Sequence, residues 1–131
     1  MILAMLTTQV AQTAASTCRG ADPAITNVST SQIGGDMTTY ALKVTVANVG
    51  SSDQRKNVLQ SVKIILDGQK KDQKGVPPLA AGQSYTFTYD VHRASDAGPG
   101  TTRVGLRLVM DGSTDATQNC STANDFRRVV F

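Results

Sequence analysis

The feature that most constrains this chain is strict two-residue alternation, repeated in short runs between turn signals. Tyr40, Leu42, Val44 and Val46 point one way, and Thr39, Ala41, Lys43 and Thr45 point the other. Only an extended chain places alternate residues on opposite faces, and such a strand buries one face. The pattern recurs with Val58, Val62, Ile64 and Leu66, again with Tyr85, Phe87, Tyr89 and Val91, and again with Val104, Leu106 and Leu108. Between the runs stand Asp67-Gly68, Pro77-Pro78, Ala81-Gly82, Asp96 to Gly100, and Asp111-Gly112. These residues favour turns or forbid a central strand.

A weaker first strand is expected around Ala24 to Ser29 and a closing one from Asn124 to Phe131. Asp67 to Gly75 reads as a polar turn region. No helical period follows residue 18. Six or seven strands at this spacing predict an all-β fold, a two-sheet antiparallel immunoglobulin-like sandwich. Leu42, Val44, Ile64, Tyr85, Phe87, Leu106 and Leu108 are the expected core.

Composition excludes several classes. A chain of 131 residues suits one domain with its own core. With 40% hydrophobic and 18% charged residues, it is neither disordered nor a bundle of membrane helices. A net charge of +3 is small for a nucleic-acid binder, so no nucleic-acid partner is expected.

The start, "MILAMLTTQVAQTAAS", combines an apolar patch with small residues. It resembles the later parts of a secretory signal, cut ahead of Ser16, but lacks a basic front. If it is retained, Leu3, Leu6, Val10 and Ala14 line one side of a short helix that can dock on a neighbour. The expected division is therefore a signal-like or retained segment, 1–17, followed by the sandwich, 18–131. The segment is too short and polar for a stable membrane span. Secretion, the periplasm or the cell surface is the expected location.

Cys18 and Cys120 have no histidine or further cysteine neighbours to make a zinc site. An even count in an exported chain predicts a disulfide between them. The other reading is two unpaired small apolar residues.

Catalytic readings fare poorly. His92 is the sole histidine, and Ser84 and Asp90 precede it without a nucleophile elbow. Asp111 and Asp115 lack the spacing of a calcium loop and read as a hairpin turn. Lys70, Lys71 and Lys74 read as a solvated loop. No metal or other cofactor is expected, and a hydrolase is disfavoured.

An alternating strand ends in Asn48-Val49-Gly50, Gly68 follows a later strand, Pro78, Leu79 and Gly82 form a turn, and Asn124 opens the last strand. This grammar, over residues 22–131, resembles the CARDB (cell-adhesion-related, bacterial) domain and its immunoglobulin-like relatives. The resemblance implies that the third, sixth and seventh strands share a sheet. Lys63, Ile65, Arg103, Arg107 and Val109, with Leu59 and Phe131, then face outward together. Arginine among large aliphatics suits a contact surface. The other sheet shows Ala41, Lys43, Thr45, Thr86 and Thr88, a blander face. The expected function is a non-catalytic adhesion, binding or scaffolding module, meeting protein, carbohydrate or another copy of itself. The alternative is a structural subunit of a surface filament or virion.

Overall fold

The computed structural model describes residues 19–33, 38–93, 100–110 and 118–131. Among the described residues, seven strands form two sheets: β1 (Pro23–Gln32), β2 (Thr39–Asn48), β3 (Gln60–Leu66), β4 (Gln69–Val76), β5 (Ser84–His92), β6 (Arg103–Met110) and β7 (Phe126–Val130). One sheet has the order β1-β2-β5 and the other β4-β3-β6-β7. Every neighbouring pair is antiparallel. The predicted two-sheet sandwich is present, and its third, sixth and seventh strands do share a sheet.

The alternation explains the packing. Leu42, Val44 and Val46 of β2 are fully buried against Val62 and Ile64 of β3 and Val104 and Leu106 of β6, which are equally buried. Tyr85, Phe87 and Tyr89 pack on this core but are only half-buried. The expectation that Tyr85 and Phe87 are buried therefore needs correction. β5 lies at a sheet edge. The edge strand β4 of the other sheet is mostly polar, so it offers the aromatic rings little apolar cover.

The largest departure from expectation is β4 itself, which falls in the stretch read as a polar turn. Leu66 pairs with Gln69, so Asp67 and Gly68 alone make the turn. Both have positive φ, 48° and 88°, as a two-residue primed hairpin turn requires. An edge strand needs no apolar face, and lysines protect it from pairing with other chains. Lys74 still contributes inward, with its ammonium 5.4 Å from the centre of the Tyr89 ring.

Three boundaries also move. β1 runs ten residues, through the Ser/Thr-rich stretch that hides its alternation. β3 begins at Gln60 rather than Val58. β7 begins at Phe126, and Asn124 lies before it. Phe131 turns inward, with its ring 4.5 Å from that of Tyr40 and its backbone exchanging two hydrogen bonds with Thr102. It does not join the outer face.

Asn48 and Gly50 end β2 for reasons of packing. Asn48 is fully buried. Its Oδ1 accepts from the N–H groups of Asp22 (2.9 Å) and Gly50 (3.0 Å). Its Nδ2 donates to the carbonyls of Ser52 and Leu79, both at 2.9 Å. One amide thus ties three segments together. Gly50 does not have the positive φ that its type suggests. It is glycine because a Cβ would strike the backbone of Gly20, Ala21 and Asp22. Gly82 does have positive φ, 81°.

Two further devices close the sandwich. Gln54 and Gln60 are buried and exchange reciprocal amide hydrogen bonds of 2.9 and 2.8 Å. Gln54 also binds Leu79 N–H and the Gln118 carbonyl, and Gln60 binds the Pro77 carbonyl. At the other seam, Arg127 crosses between sheets. Its Nε and Nη2 donate to the carbonyls of Ile25 and Thr26, where β1 departs from regular pairing.

Candidate binding surface

The outer face of the β4-β3-β6-β7 sheet is set by register. Lys63 lies opposite Arg107, and Arg107 opposite Phe126. Ile65 lies opposite Gly105, and Gly105 opposite Arg128. Directly opposed residues share a sheet face, so two rows run across the strands.

Gly105 shapes the surface between them. A Cβ there would meet two Phe126 ring carbons at 3.2 Å and Ile65 Cβ at 3.7 Å. Its absence lets the Phe126 ring approach the β6 backbone. The Arg107 guanidinium carbon stands 4.7 Å from the ring centre and that of Arg128 stands 5.9 Å away. Such contacts favour guanidinium groups that retain free N–H donors. The result is a groove of about 510 Å³ lined by Ile65, Arg103, Arg107, Phe126 and Arg128, with Asp67 at one end. Among the described residues, no carboxylate forms an ion pair with any of these three arginines. Asp67 uses its Oδ1 to accept from the backbone N–H of Arg103 at 3.2 Å.

Of the five residues expected on this surface, Ile65, Arg103 and Arg107 line the groove. Lys63 is beside it, across from Arg107. Val109 shares the face but belongs to a separate hollow with Leu59. Phe126, Arg128 and Gly105 were missing from the expected set. A lone glycine inside an alternating strand is the signal for Gly105, because it marks close approach by a neighbour.

The residues weighed for hydrolysis do not assemble. Ser84 and His92 stand at opposite ends of β5. Eight residue-to-residue steps of extended chain separate them, about 26 Å. His92 Nδ1 instead lies 3.1 Å from Thr39 Oγ1.

A second polar cluster lies where the segment before β7 meets the start of β1. Asp22 is fully buried and Asp125 nearly so. Asn124 Nδ2 donates to Asp22 Oδ2 (3.0 Å), and Asn119 Nδ2 donates to Asp125 Oδ2 (2.7 Å). Burial pushes the Asp125 carboxyl up to about 6, the Asn119 hydrogen bond opposes this, nearby Asp22 adds to the rise, and Arg107 lowers it.

Cys18, one half of the expected disulfide, lies outside the described residues, as do the N-terminal segment and Asp111 and Asp115. Cys120 is half-buried, and its N–H donates to the Ala21 carbonyl at 3.1 Å.

Comparison with known proteins agrees with this architecture. The chain is similar to a crystal structure of a CARDB domain from Pyrococcus furiosus in complex with di-metal ions. The TM-score is 0.63 at 14% identity, over 88% of this chain and 91% of that one. It is also similar to the solution NMR structure of the CARDB domain from the same organism. There the TM-score is 0.61 at 12% identity, over 86% and 94% of the two chains. No curated protein matches the sequence. The CARDB family profile matches residues 21–128, so the chain belongs to the CARDB family of non-enzymatic, immunoglobulin-like domains.

Proposed function

We propose that this domain is an exported binding module, of the adhesion or scaffolding kind, and that it holds an acidic protein segment in the arginine groove. The observation that carries the reading is a groove lined by Arg103, Arg107 and Arg128, the last two against the Phe126 ring, with no carboxylate ion-paired to them among the described residues. An acidic peptide satisfies it well. Carboxylates take paired guanidinium donors, and an apolar side chain covers Phe126 and Ile65. The opposite sheet offers no comparable charge. Its outer face carries Lys43 and a 3.0 Å hydrogen bond between the Thr45 and Thr86 hydroxyls.

Charge reversal tests the reading. Arg103→Glu/Arg128→Glu should lower affinity for immobilised poly-glutamate at least tenfold and leave the thermal transition nearly unchanged, since both side chains are exposed. Lys43→Glu, on the other sheet, should change affinity less than twofold. If the double variant still binds normally, or Lys43→Glu weakens binding more, the groove is not the contact.

Export is supported by the signal-like start and by the position of Cys120. Its backbone pairs with Ala21, only three residues beyond Cys18. A Cys18–Cys120 disulfide would close a loop of about 100 residues and add about 4 to 5 kcal/mol of stability in the chain-entropy account. Protein isolated without reductant should show no free thiol after denaturation. Two thiols per chain would contradict the bond. Reduction should lower the melting temperature without abolishing the fold, because the alternating strands supply a buried core cluster that does not include Cys120.

A further inference from the structure

Among the described residues, four side-chain oxygens in the second polar cluster are shut from solvent and have no hydrogen-bond partner: Asp22 Oδ1, Asn119 Oδ1, Asn124 Oδ1 and Asp125 Oδ1. Their arrangement is systematic. Each asparagine donates its amide N–H to one oxygen of an aspartate, Asn124 to Asp22 and Asn119 to Asp125. Each pair is left with one carboxylate oxygen and one amide carbonyl oxygen unused. Two carboxylates and two amide carbonyls therefore stay unsatisfied in one cluster, since Asn124 and Asp125 are sequence neighbours and the Cys120 and Ile25 N–H groups bond to the Ala21 and Asn124 carbonyls.

Burying such oxygens without a donor or a cation is costly. Asp22 is 0% exposed and Asp125 8%. Among the described residues, neither forms an ion pair. Arg107 is the cation whose charge reaches Asp125, and its guanidinium lies against Phe126. The backbone also holds the two segments in place. Cys120 N–H donates to the Ala21 carbonyl, Ile25 N–H to the Asn124 carbonyl, and Leu108 N–H to the Asp125 carbonyl. Asn48 fixes the Asp22 backbone through its N–H.

We propose that Asp22, Asn119, Asn124 and Asp125 form a binding site for a hard divalent cation of the calcium type. All four donors are oxygens, and two are carboxylates, which matches calcium and excludes the soft ligand sets of zinc or copper. Magnesium, which holds its waters tightly and demands a small octahedron, suits a buried set of protein oxygens less well. The cation would join the segment before β7 to the entry of β1. Asp125 directly precedes Phe126, so the ion would also steady the floor of the groove.

The test uses the full chain, stripped with a chelator and titrated with calcium chloride. Calorimetry should show saturable binding, and at ten times the Kd the melting temperature should rise by about 5 °C. Magnesium should bind at least tenfold more weakly. Asp22→Asn and Asp125→Asn keep the shape and remove one charge each. Each should weaken calcium binding at least fivefold, and smaller losses in both would overturn the assignment. Amide chemical shifts give a readout that needs no variant. Calcium should move Asp22 and residues 119–125. No binding by the unmodified chain up to 10 mM calcium, or shifts confined to other segments, would likewise overturn it.

Discussion

Asn48→Ala should destabilise the domain by about 3 to 5 kcal/mol, a large loss for a single side chain. The substitution strands four backbone groups at once: the N–H groups of Asp22 and Gly50 and the carbonyls of Ser52 and Leu79. Alanine supplies neither donor nor acceptor. The site is fully enclosed, and the backbone of Gly20 to Asp22 lies so near Gly50 that not even a Cβ fits. Water can therefore replace the lost bonds only if the segments separate. Asn48→Asp should not rescue the loss at neutral pH. It keeps the acceptor but sets a carboxylate against the two carbonyls that Nδ2 serves. Urea unfolding measures both, and a cost below about 1 kcal/mol for Asn48→Ala would show that the four bonds are not what ends β2.

Leu106→Ala should cost about 2 to 5 kcal/mol. Leu106 is fully buried in β6, opposite Ile64 of β3 in register. Its removal leaves a cavity between rigid sheets that cannot close over it. Thr88→Ala is the matched control. Thr88 is exposed on β5, and its loss should change stability by less than about 0.5 kcal/mol. A strand shifted by one residue exchanges its two faces, so equal costs for the two variants would contradict the register.

What was legible in the sequence follows from which strands bury a face. β2, β3 and β6 each press one side into the core, so their alternation fixes both strand and direction. β4 buries little besides Val76, and its lysine-rich edge therefore looks like a loop. The Asp67-Gly68 pair was the local sign of a hairpin. The outer face was half legible. Arg103 and Arg107 share a strand, where spacing alone puts them on one side. Phe126 and Arg128 join them only through the pairing of β7 with β6. In "FRRVVF" apolar residues stand at both ends, and the chain rather than the pattern decides that Phe126 faces out and Phe131 in. The buried Asp22, Asn119, Asn124 and Asp125 could not be read from spacing at all. About a hundred residues separate Asp22 from the other three, and only the sandwich brings them together.

The proposed binding of an acidic segment in the arginine groove can be tested directly on the domain. The most direct measurement is a titration of isotopically labelled protein with a poly-glutamate peptide, followed by backbone amide chemical shifts. Saturable shifts concentrated at Ile65, Arg103 to Arg107 and Phe126 to Arg128, weakening as salt is raised, are the expected result. Shifts centred instead on the outer face of β1, β2 and β5, or on Gln69 to Gly75, would contradict it.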